Sequence, residues 1–185
     1  MSAPYNTLKD TDRDFQEALV ASGRSPEIPE AADAYGWLVG SWDLDVLHYW
    51  AMDVSARGLK CEVHAQWALE GLAVQDLWIM PARPERHGRL DPKLNMYGTT
   101  LRVWDSMIRA WRINWRNPAG GHFEDQIGRR DGKDVIQIGV RPDGTQTRWT
   151  FTEIQTGAFR WLGESLGRGG KSWLLEGEFR ARRIA

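Results

Sequence analysis

Short segments of alternating apolar and polar residues dominate the chain from Gly36 onward. Ten such segments, rich in β-branched and aromatic residues, cover 41–50, 59–69, 72–80, 97–105, 109–117, 121–129, 134–141, 146–154, 158–165 and 172–183. This composition is typical of strands with one buried face. The connections carry hairpin signals such as Asp131-Gly132 and Gly169-Gly170. The pattern therefore predicts about ten antiparallel strands joined in chain order.

No helical segment is predicted between these strands, and this limits the possible architectures. Antiparallel strands joined in order leave two exposed edges unless the sheet closes on itself. We therefore predict an all-β fold, an up-and-down antiparallel barrel of about ten strands with a short N-terminal helix. A two-sheet sandwich is the alternative. The expected division is 1–35 for the helix and connecting segment and 36–185 for the barrel.

Two segments outside the strands have expected positions of their own. Residues 10–22 predict a helix with Asp10 or Thr11 as N-cap and Gly23 as its end. The first 35 residues would then form a lid or brace for the barrel. The segment 81–94 is rich in Pro, Arg, His and Gly, and it is long enough for an extended loop over one barrel mouth.

Alternation along the strands predicts which side chains face inward. The inner face of the first strand would carry Trp42, Leu44, Val46 and His48. That of the fifth would carry Trp111, Ile113 and Trp115, while in the last strand the set Trp173, Leu175, Gly177, Phe179 and Ala181 is the more apolar. A β-bulge would reverse this parity.

Composition and charge narrow the classes of partner. With 42% hydrophobic and 26% charged residues the chain has ordinary globular usage, and a net charge of −1 gives no field that would gather nucleic acid. No apolar run is long enough for a signal peptide or a membrane span, so we expect a cytoplasmic protein without a membrane partner. The single cysteine, Cys61, excludes an intramolecular disulfide.

Tryptophan is the unusual residue, with eleven copies spread along nearly the whole chain. Tryptophan fills cores well because it buries a large area with few rotamers. An aromatic-lined pocket is the second interpretation, since ligand cavities are mainly apolar and aromatic. Both interpretations can hold together.

The motif Gly40-Ser41-Trp42 opens the first strand, and arginines end the last one. With these two features the chain resembles the calycin group over residues 36–183. Further segments that carry the resemblance are Gln75–Trp78, Gly98–Arg102 and Arg148–Phe151. That group includes lipocalins and fatty-acid-binding-like barrels, and the nearest resemblance is to bacterial lipocalin-like proteins of unknown function. The resemblance implies that Trp42 plugs the closed end of a barrel, with Arg180 or Arg182 packed across it. It also implies a small-ligand cavity, without fixing a reaction.

Charged residues inside apolar strands are candidate site residues. Asp76 shares a predicted face with Trp78, and Arg102 shares one with Trp104, so the two form either a structural ion pair or a pair that orients a ligand. Glu164 and Glu176 with Arg148 form a similar set, and Glu124 and Gln137 are weaker candidates of the same kind.

The histidines carry no metal-binding motif of their own. If the first hairpin turns near residue 55, His48 lies opposite Glu62 and diagonal to His64. Such a cluster suits zinc or iron, but a hydrogen-bonded pair of interior histidines is the simpler interpretation. We therefore expect no metal and no cofactor.

Three functions remain open at this point. The first is binding of a small amphipathic or aromatic molecule in the barrel, with ligand contacts from Trp78, Trp104, His64, Gln75, Trp111, Asn114, Arg148, Trp161 and Glu164. The second is a cofactor-free lyase, isomerase or cyclase, in which His48 or Asp76 is the general base and Arg102 stabilises an anion. The third is a dimerisation module whose barrel is filled by its own side chains, and a homodimer is a possible assembly in any of these cases.

Overall fold

A computed structural model describes residues 10–184 of the chain. Its only α-helix in that range is α1, Asp10–Leu19, and short 3-10 helices cover Glu30–Ala32, Gly36–Leu38, Ser55–Arg57, Arg83–Glu85 and Pro92–Leu94. The strands are β1 (Val20–Ala21), β2 (Gly40–Tyr49), β3 (Met52–Asp53), β4 (Lys60–Ala68), β5 (Ala73–Met80), β6 (Met96–Asp105), β7 (Ala110–Asn117), β8 (His122–Asp131), β9 (Asp134–Val140), β10 (Gln146–Gln155), β11 (Ala158–Leu166) and β12 (Trp173–Arg183).

Ten of these strands close into an antiparallel barrel. Strands β4 to β12 pair with their neighbours in chain order, and β2 closes the ring by pairing with both β4 and β12. The predicted architecture is confirmed, and the ten predicted strands match the barrel strands to within one or two residues. The two-residue strands β1 and β3 are additions that the alternation did not predict.

The N-terminal helix ends earlier than expected, at Leu19 rather than near Gly23. The reason is that Val20 and Ala21 pair with β4, and the Leu69 amide donates to the Leu19 carbonyl at 3.0 Å. The expected N-cap side chains of Asp10 and Thr11, and residues 1–9 of the proposed N-terminal segment, lie outside the described residues.

A bulge in β2 reverses the inward parity of this strand. Val46 pairs with Phe179 and His48 with Glu178, so Leu47 is an extra residue between these pairs. From that point Tyr49, opposite Gly177, faces the interior. The expectation that His48 shares the inner face with Trp42 is therefore wrong.

The expected register of the first hairpin is wrong as well. Glu62 pairs with Asp43 and His64 with Ser41, because β3 and a 3-10 turn occupy the connection and β4 begins opposite Asp45. Both Glu62 and His64 consequently lie on the outer wall of the barrel, since their neighbour Val63 is the residue that pairs with Trp42.

One end of the barrel is closed by Trp42 and an arginine. The arginine is Arg183, which pairs directly with Trp42 across β2 and β12 and places its guanidinium carbon 4.0 Å from the indole centroid. The expected residues, Arg180 and Arg182, point outward, with side chains 60% and 82% exposed. Arg183 belongs to the odd-numbered, more apolar set of residues in this strand.

The segment before β2 fills the same end. Tyr35 and Leu38 are fully buried, and Trp37 makes edge-to-face contacts with Phe151 and Phe159 at centroid distances of 5.5 and 5.3 Å. These side chains occupy one half of the interior and leave the other half for a cavity.

The long loop 81–94 does not line the opposite mouth, which departs from the prediction. Its Arg83 instead binds Glu62 on the outer wall, donating from Nε to Oε1 at 2.8 Å. Arg86 donates to the Met80 carbonyl at 3.1 Å and to Asn95 Oδ1 at 2.8 Å, which fastens the loop to the strand ends beside it.

Candidate functional site

A cavity opens at the barrel end opposite the Trp42 plug. It contains about 620 Å³ of atom-free space when its open mouth is counted, of which the centre of a water molecule can occupy about 60 Å³. That interior space suits on the order of five waters. The lining residues are Tyr49, Trp50, Trp78, Met96, Thr100, Arg102, Trp115, Asn117, His122, Arg141, Trp149, Trp161, Gly163, Glu176, Gly177 and Phe179.

The wall of the cavity is mainly aromatic. Trp161 lies at its centre, with ring centroids 5.4 Å from Trp149, 5.3 Å from Phe179 and 5.8 Å from Trp78. A Cβ on Gly163 would come within 2.5 Å of the Trp161 ring, so this glycine gives the indole its place against the wall. The small residue thus leaves room for the large indole ring against the strands.

At the floor of the cavity Asp76 and Arg102 form a buried ion pair. The Arg102 guanidinium donates to Asp76 Oδ2, and the Thr100 amide donates to Asp76 Oδ1 at 3.1 Å. Each of the two charged residues is only 1% exposed. The expected pairing of these residues is present, and of the two only Arg102 reaches the cavity surface.

Beneath the cavity Arg102 also contacts groups from the plugged end. Its Nε donates to Gln137 Oε1 at 3.3 Å, and the same oxygen accepts from the Tyr35 hydroxyl at 3.1 Å. The guanidinium carbon lies 5.0 Å from the Tyr35 ring centroid. Burial raises the pKa of the Tyr35 phenol, so this hydroxyl remains a donor.

A chain of hydrogen bonds runs from this floor to the mouth. Gln137 Nε2 donates to Gln126 Oε1 at 3.1 Å, Gln126 Nε2 donates to Glu124 Oε1 at 3.2 Å, and Glu124 Oε2 lies 2.7 Å from His122 Nε2. All of these side chains come from the facing strands β8 and β9. The chain links the buried ion pair to a histidine on the cavity wall.

The protonation of His122 follows from its two partners. The Trp115 indole, which can only donate, points its Nε1 at His122 Nδ1 over 3.3 Å. In the neutral ring this places the proton on Nε2, facing Glu124. Burial alone would raise the pKa of Glu124, but hydrogen bonding, foremost from His122, outweighs it and lowers that pKa.

The mouth is spanned by Trp50, which comes from the β2–β3 turn and is 42% exposed. Its ring reaches the opposite side of the barrel, 5.1 Å from the His122 ring and 5.4 Å from the Arg141 guanidinium carbon. Trp50 and Ala51 both have positive φ angles, 48° and 59°, a conformation that non-glycine residues rarely adopt. The turn therefore holds Trp50 across the opening at a conformational cost.

Charges that line the cavity are compensated within the protein. Arg141 donates to Glu176 through both terminal nitrogens, at 3.0 and 2.6 Å, and Arg102 is paired with Asp76. By contrast, the Thr100 hydroxyl and the Asn117 amide nitrogen make no hydrogen bond to another described residue, although both residues are 1% exposed and line the cavity. The lining groups without a hydrogen bond in the described residues thus include these two neutral ones, together with Arg102 Nη2 and Arg141 Nε, which belong to guanidinium groups already paired with Asp76 and Glu176.

The residues expected at the site separate into three groups. Trp78, Trp161 and Arg102 line the cavity, with Asp76 directly behind. Trp104 and Trp111 lie at the opposite end of the barrel. The remaining residues predicted to bind a ligand or to catalyse occupy the outer wall, where His48 pairs with Glu178, His64 contacts Glu62, Gln75 donates to Thr99, Asn114 donates to Asp125, and Arg148 donates to Glu164. The weaker candidates lie inside the barrel: Glu176 lines the cavity and pairs with Arg141 rather than Arg148, and Glu124 and Gln137 belong to the buried hydrogen-bond chain.

Several lining residues were not expected from the sequence. His122 lies opposite Asn117 in the β7–β8 ladder. Trp115 and Glu124 are paired on the same two strands, and placing them opposite each other would have indicated this register. Arg141 follows β9 directly, where the adjoining Pro142-Asp143-Gly144 reads as a turn. Trp50 ends the predicted segment 41–50, but the structure places it in the turn after β2, a position that the alternation did not indicate.

No group of three or more metal-ligating side chains is found among residues 10–184. Within the same range no helix is long and apolar enough to cross a membrane. No protein-family model matches the chain, and no curated protein sequence matches it significantly. The geometry of the cavity is therefore the basis for the functional argument.

Proposed function

We propose that the chain is a calycin-like binding protein that holds a small, neutral, aromatic molecule in the cavity beneath Trp50. The observation that carries this proposal is the combination of an aromatic wall with two neutral polar groups, the Thr100 hydroxyl and the Asn117 amide nitrogen, that make no hydrogen bond within the described residues. An apolar lining with a few polar groups that fix orientation is the usual composition of a ligand site.

The charge of the ligand can be inferred because the charged residues that line the cavity are already paired within the protein. A negatively charged ligand group would have to share Arg102 with Asp76, or Arg141 with Glu176. Either arrangement would place two anionic groups on one guanidinium in a buried site, which is costly. A ligand with a neutral hydroxyl, amine or carbonyl avoids that cost and can use the Thr100 hydroxyl or the Asn117 amide.

Trp50 would control access to the cavity. The space left under it suits a few waters, so a ring-containing ligand needs the additional volume at the mouth. Displacement of Trp50 opens that volume and breaks its contacts with the His122 ring, the Arg141 guanidinium and the Tyr49 ring. A side chain in this position slows exchange without forming the binding surface itself.

Fluorescence titration with two probes tests the proposal. We expect the neutral probe N-phenylnaphthylamine to bind with a stoichiometry of about one and to quench tryptophan emission through energy transfer. The anionic probe anilinonaphthalene sulfonate should bind at least about tenfold more weakly, because its charge finds no free cation in the cavity. Preference for the anionic probe would contradict the proposed ligand class.

Glycine variants locate the probe. Gly163→Ala pushes the Trp161 ring toward the cavity and should weaken binding of the neutral probe by about tenfold or more. Gly169→Ala, in the β11–β12 loop, is the matched control because a Cβ there meets no atom within 4 Å. Equal affinities in the two variants would place the probe elsewhere on the protein and overturn the proposal.

Two further variants distinguish a side chain that orients the ligand from one that controls entry to the cavity. Thr100→Val keeps the shape of the side chain and removes its hydroxyl, so it should lower affinity for an amine probe by several-fold. Trp50→Ala should raise both the association and dissociation rates in stopped-flow experiments, with a smaller change in affinity. Unchanged rates in Trp50→Ala would show that the ligand does not pass Trp50.

A second candidate function is a cofactor-free lyase or isomerase, favoured by the His122–Glu124 pair at the cavity wall. His48, the expected base, faces outward, and Asp76 lies behind the cavity surface, whereas His122 lines the cavity and is therefore the better candidate base. In this case a bound ligand would be converted, and His122→Gln would lower turnover more than affinity. Recovery of the ligand unchanged after prolonged incubation favours the binding function.

A further inference from the structure

A second groove lies at the plugged end of the barrel, between the β6–β7 hairpin and the segment that precedes β2. It contains about 1030 Å³ of atom-free space when its open side is counted, and its floor includes Trp104 and Trp111, whose ring centroids are 5.9 Å apart. The Trp111 indole donates to the Ala32 carbonyl at 2.9 Å, which fixes one wall of the groove. This groove shares no lining residue with the cavity under Trp50.

Three arginines line the groove, and no acidic side chain does. Arg130 donates to the Asp33 backbone carbonyl at 3.0 and 3.2 Å, and Arg129 donates to the Ile108 backbone carbonyl at 3.3 Å. Within residues 10–184 neither these two nor Arg109 forms an ion pair with a carboxylate. Their positive charge is therefore uncompensated, in contrast to that of the arginines in the cavity.

The indole of Trp104 is a further donor beside the groove, and unlike Arg129 and Arg130 it has no hydrogen-bond acceptor. Trp104 Nε1 is buried and makes no hydrogen bond, which is unusual because buried indole N–H groups normally find an acceptor. It belongs to one of the two rings that line the groove. The protein thus leaves this donor beside the groove unsatisfied.

We propose that this groove binds a small molecule that carries a phosphate group and a planar ring. The phosphate oxygens would accept hydrogen bonds from Arg109 and Arg129, since guanidinium groups match phosphate geometry. The ring would lie against the two indoles. This inference is independent of the proposed function, because the two sites lie at opposite ends of the barrel.

Isothermal titration calorimetry with adenosine monophosphate, adenosine and inorganic phosphate tests the proposal on the full chain. Adenosine monophosphate should bind, while adenosine and phosphate alone should each bind at least about tenfold more weakly, since each lacks one half of the contacts. The affinity should fall as salt is raised. Equal affinities for adenosine monophosphate and adenosine would overturn the role of the arginines.

Matched arginine variants locate the site. Arg109→Gln and Arg129→Gln should each weaken binding of adenosine monophosphate by about tenfold, the effect of one lost charge-assisted hydrogen bond. Arg112→Gln is the control, because this exposed arginine is on the same hairpin but is paired with Asp105 and does not line the groove. An equal loss in the control would show general charge attraction and contradict a defined site.

Vesicles that contain phosphatidylglycerol distinguish a free phosphorylated molecule from a lipid headgroup. This arm is needed because Met107, at the tip of the same hairpin, is 90% exposed. Binding to the nucleotide that is insensitive to Met107→Ser supports the groove as a small-molecule site. Binding to vesicles without binding to adenosine monophosphate would overturn the proposal and assign the hairpin to a membrane surface.

Discussion

Arg183 and Trp42 are direct partners across β12 and β2, and the guanidinium of the one lies over the indole of the other at 4.0 Å. The same guanidinium donates to the carbonyls of Val39 and Trp37 at 2.7 Å each, and to that of Thr156 at 2.9 Å. These contacts join the end of the last strand to the start of the first. The pair therefore fastens the barrel where its two terminal strands meet.

Removal of the Arg183 side chain should be costly. Arg183→Ala loses a cation–π contact and three charge-assisted hydrogen bonds, and we expect the free energy of unfolding to fall by about 2–4 kcal/mol in urea denaturation. Arg182→Ala is the control and should change it by less than about 0.5 kcal/mol, since this side chain is 82% exposed. Similar losses in both variants would contradict the special role of Arg183.

Gly40 makes room for that guanidinium. A Cβ at this position would lie 2.3 Å from Arg183 Nη1, and the glycine φ of 129° is unfavourable for other residues. Gly40→Ala should therefore destabilise the barrel by about 2 kcal/mol or more. In the Arg183→Ala background the same substitution should cost less, because only the backbone strain remains; strict additivity of the two would show that no steric conflict exists.

The barrel strands could be predicted because each carries its own period-two pattern and its own turn residues. The ion pair of Asp76 and Arg102 could also be predicted, since both residues interrupt otherwise apolar strands. Bulges could not, and the extra residue at Leu47 turns His48 outward and Tyr49 inward. One unrecognised bulge thus moved a proposed catalytic residue to the outside.

The two ends of the barrel were harder to predict than its wall. Trp50 enters the mouth from a turn, and Tyr35 enters the plugged end from a segment before the first barrel strand. Tyr35 belongs to no alternating pattern, and Trp50 follows the bulge that interrupts the pattern of β2, so the position of each depends on tertiary contacts. The odd-numbered set of the last strand, continued by two residues beyond Ala181, would have identified Arg183.

Glu62 should contribute stability that is lost in acid. Burial would raise its pKa, but hydrogen bonds from Arg83 and His64 outweigh this and lower the pKa from 4.5 to about 2. A lowered pKa stabilises the fold above the unfolded-state value, and this stabilisation disappears as the pH falls from about 4.5 to about 2.

The comparison of the native protein with Glu62→Gln tests this. The variant should be less stable at neutral pH, and the difference in unfolding free energy should shrink steadily below about pH 4.5. Glu70→Gln, which removes an exposed carboxylate without a hydrogen bond among the described residues, controls for the change in net charge. A difference that is constant with pH would contradict the lowered pKa of Glu62.

Asp76 and Arg102 should show strong thermodynamic coupling. Removing one partner of a buried ion pair typically costs about 3–5 kcal/mol, because the other charge is left uncompensated. We expect losses of this size for Asp76→Leu and for Arg102→Met in urea denaturation. The double variant should be more stable than the sum of the single losses predicts by at least about 1 kcal/mol, and additive losses would contradict a direct pair.

Tyr35 should make the protein sensitive to alkali. Burial raises its pKa above the usual value of 10.0, so above that pH the folded state keeps a proton that the unfolded state loses. The stabilisation from this group is complete below pH 10 and decreases as the pH rises further. Tyr35→Phe removes the hydroxyl that donates to Gln137, so it should cost about 1 kcal/mol at neutral pH.

The pH dependence of that cost is the decisive measurement. Because Phe has no proton to lose, the stability advantage of the native protein over Tyr35→Phe should diminish as the pH rises above 10. Tyr97→Phe, a change at an exposed tyrosine, gives the background for alkaline denaturation. If the advantage over Tyr35→Phe grew with pH instead, the phenol would ionise more easily in the folded state, and its position as a buried donor to Gln137 would be wrong.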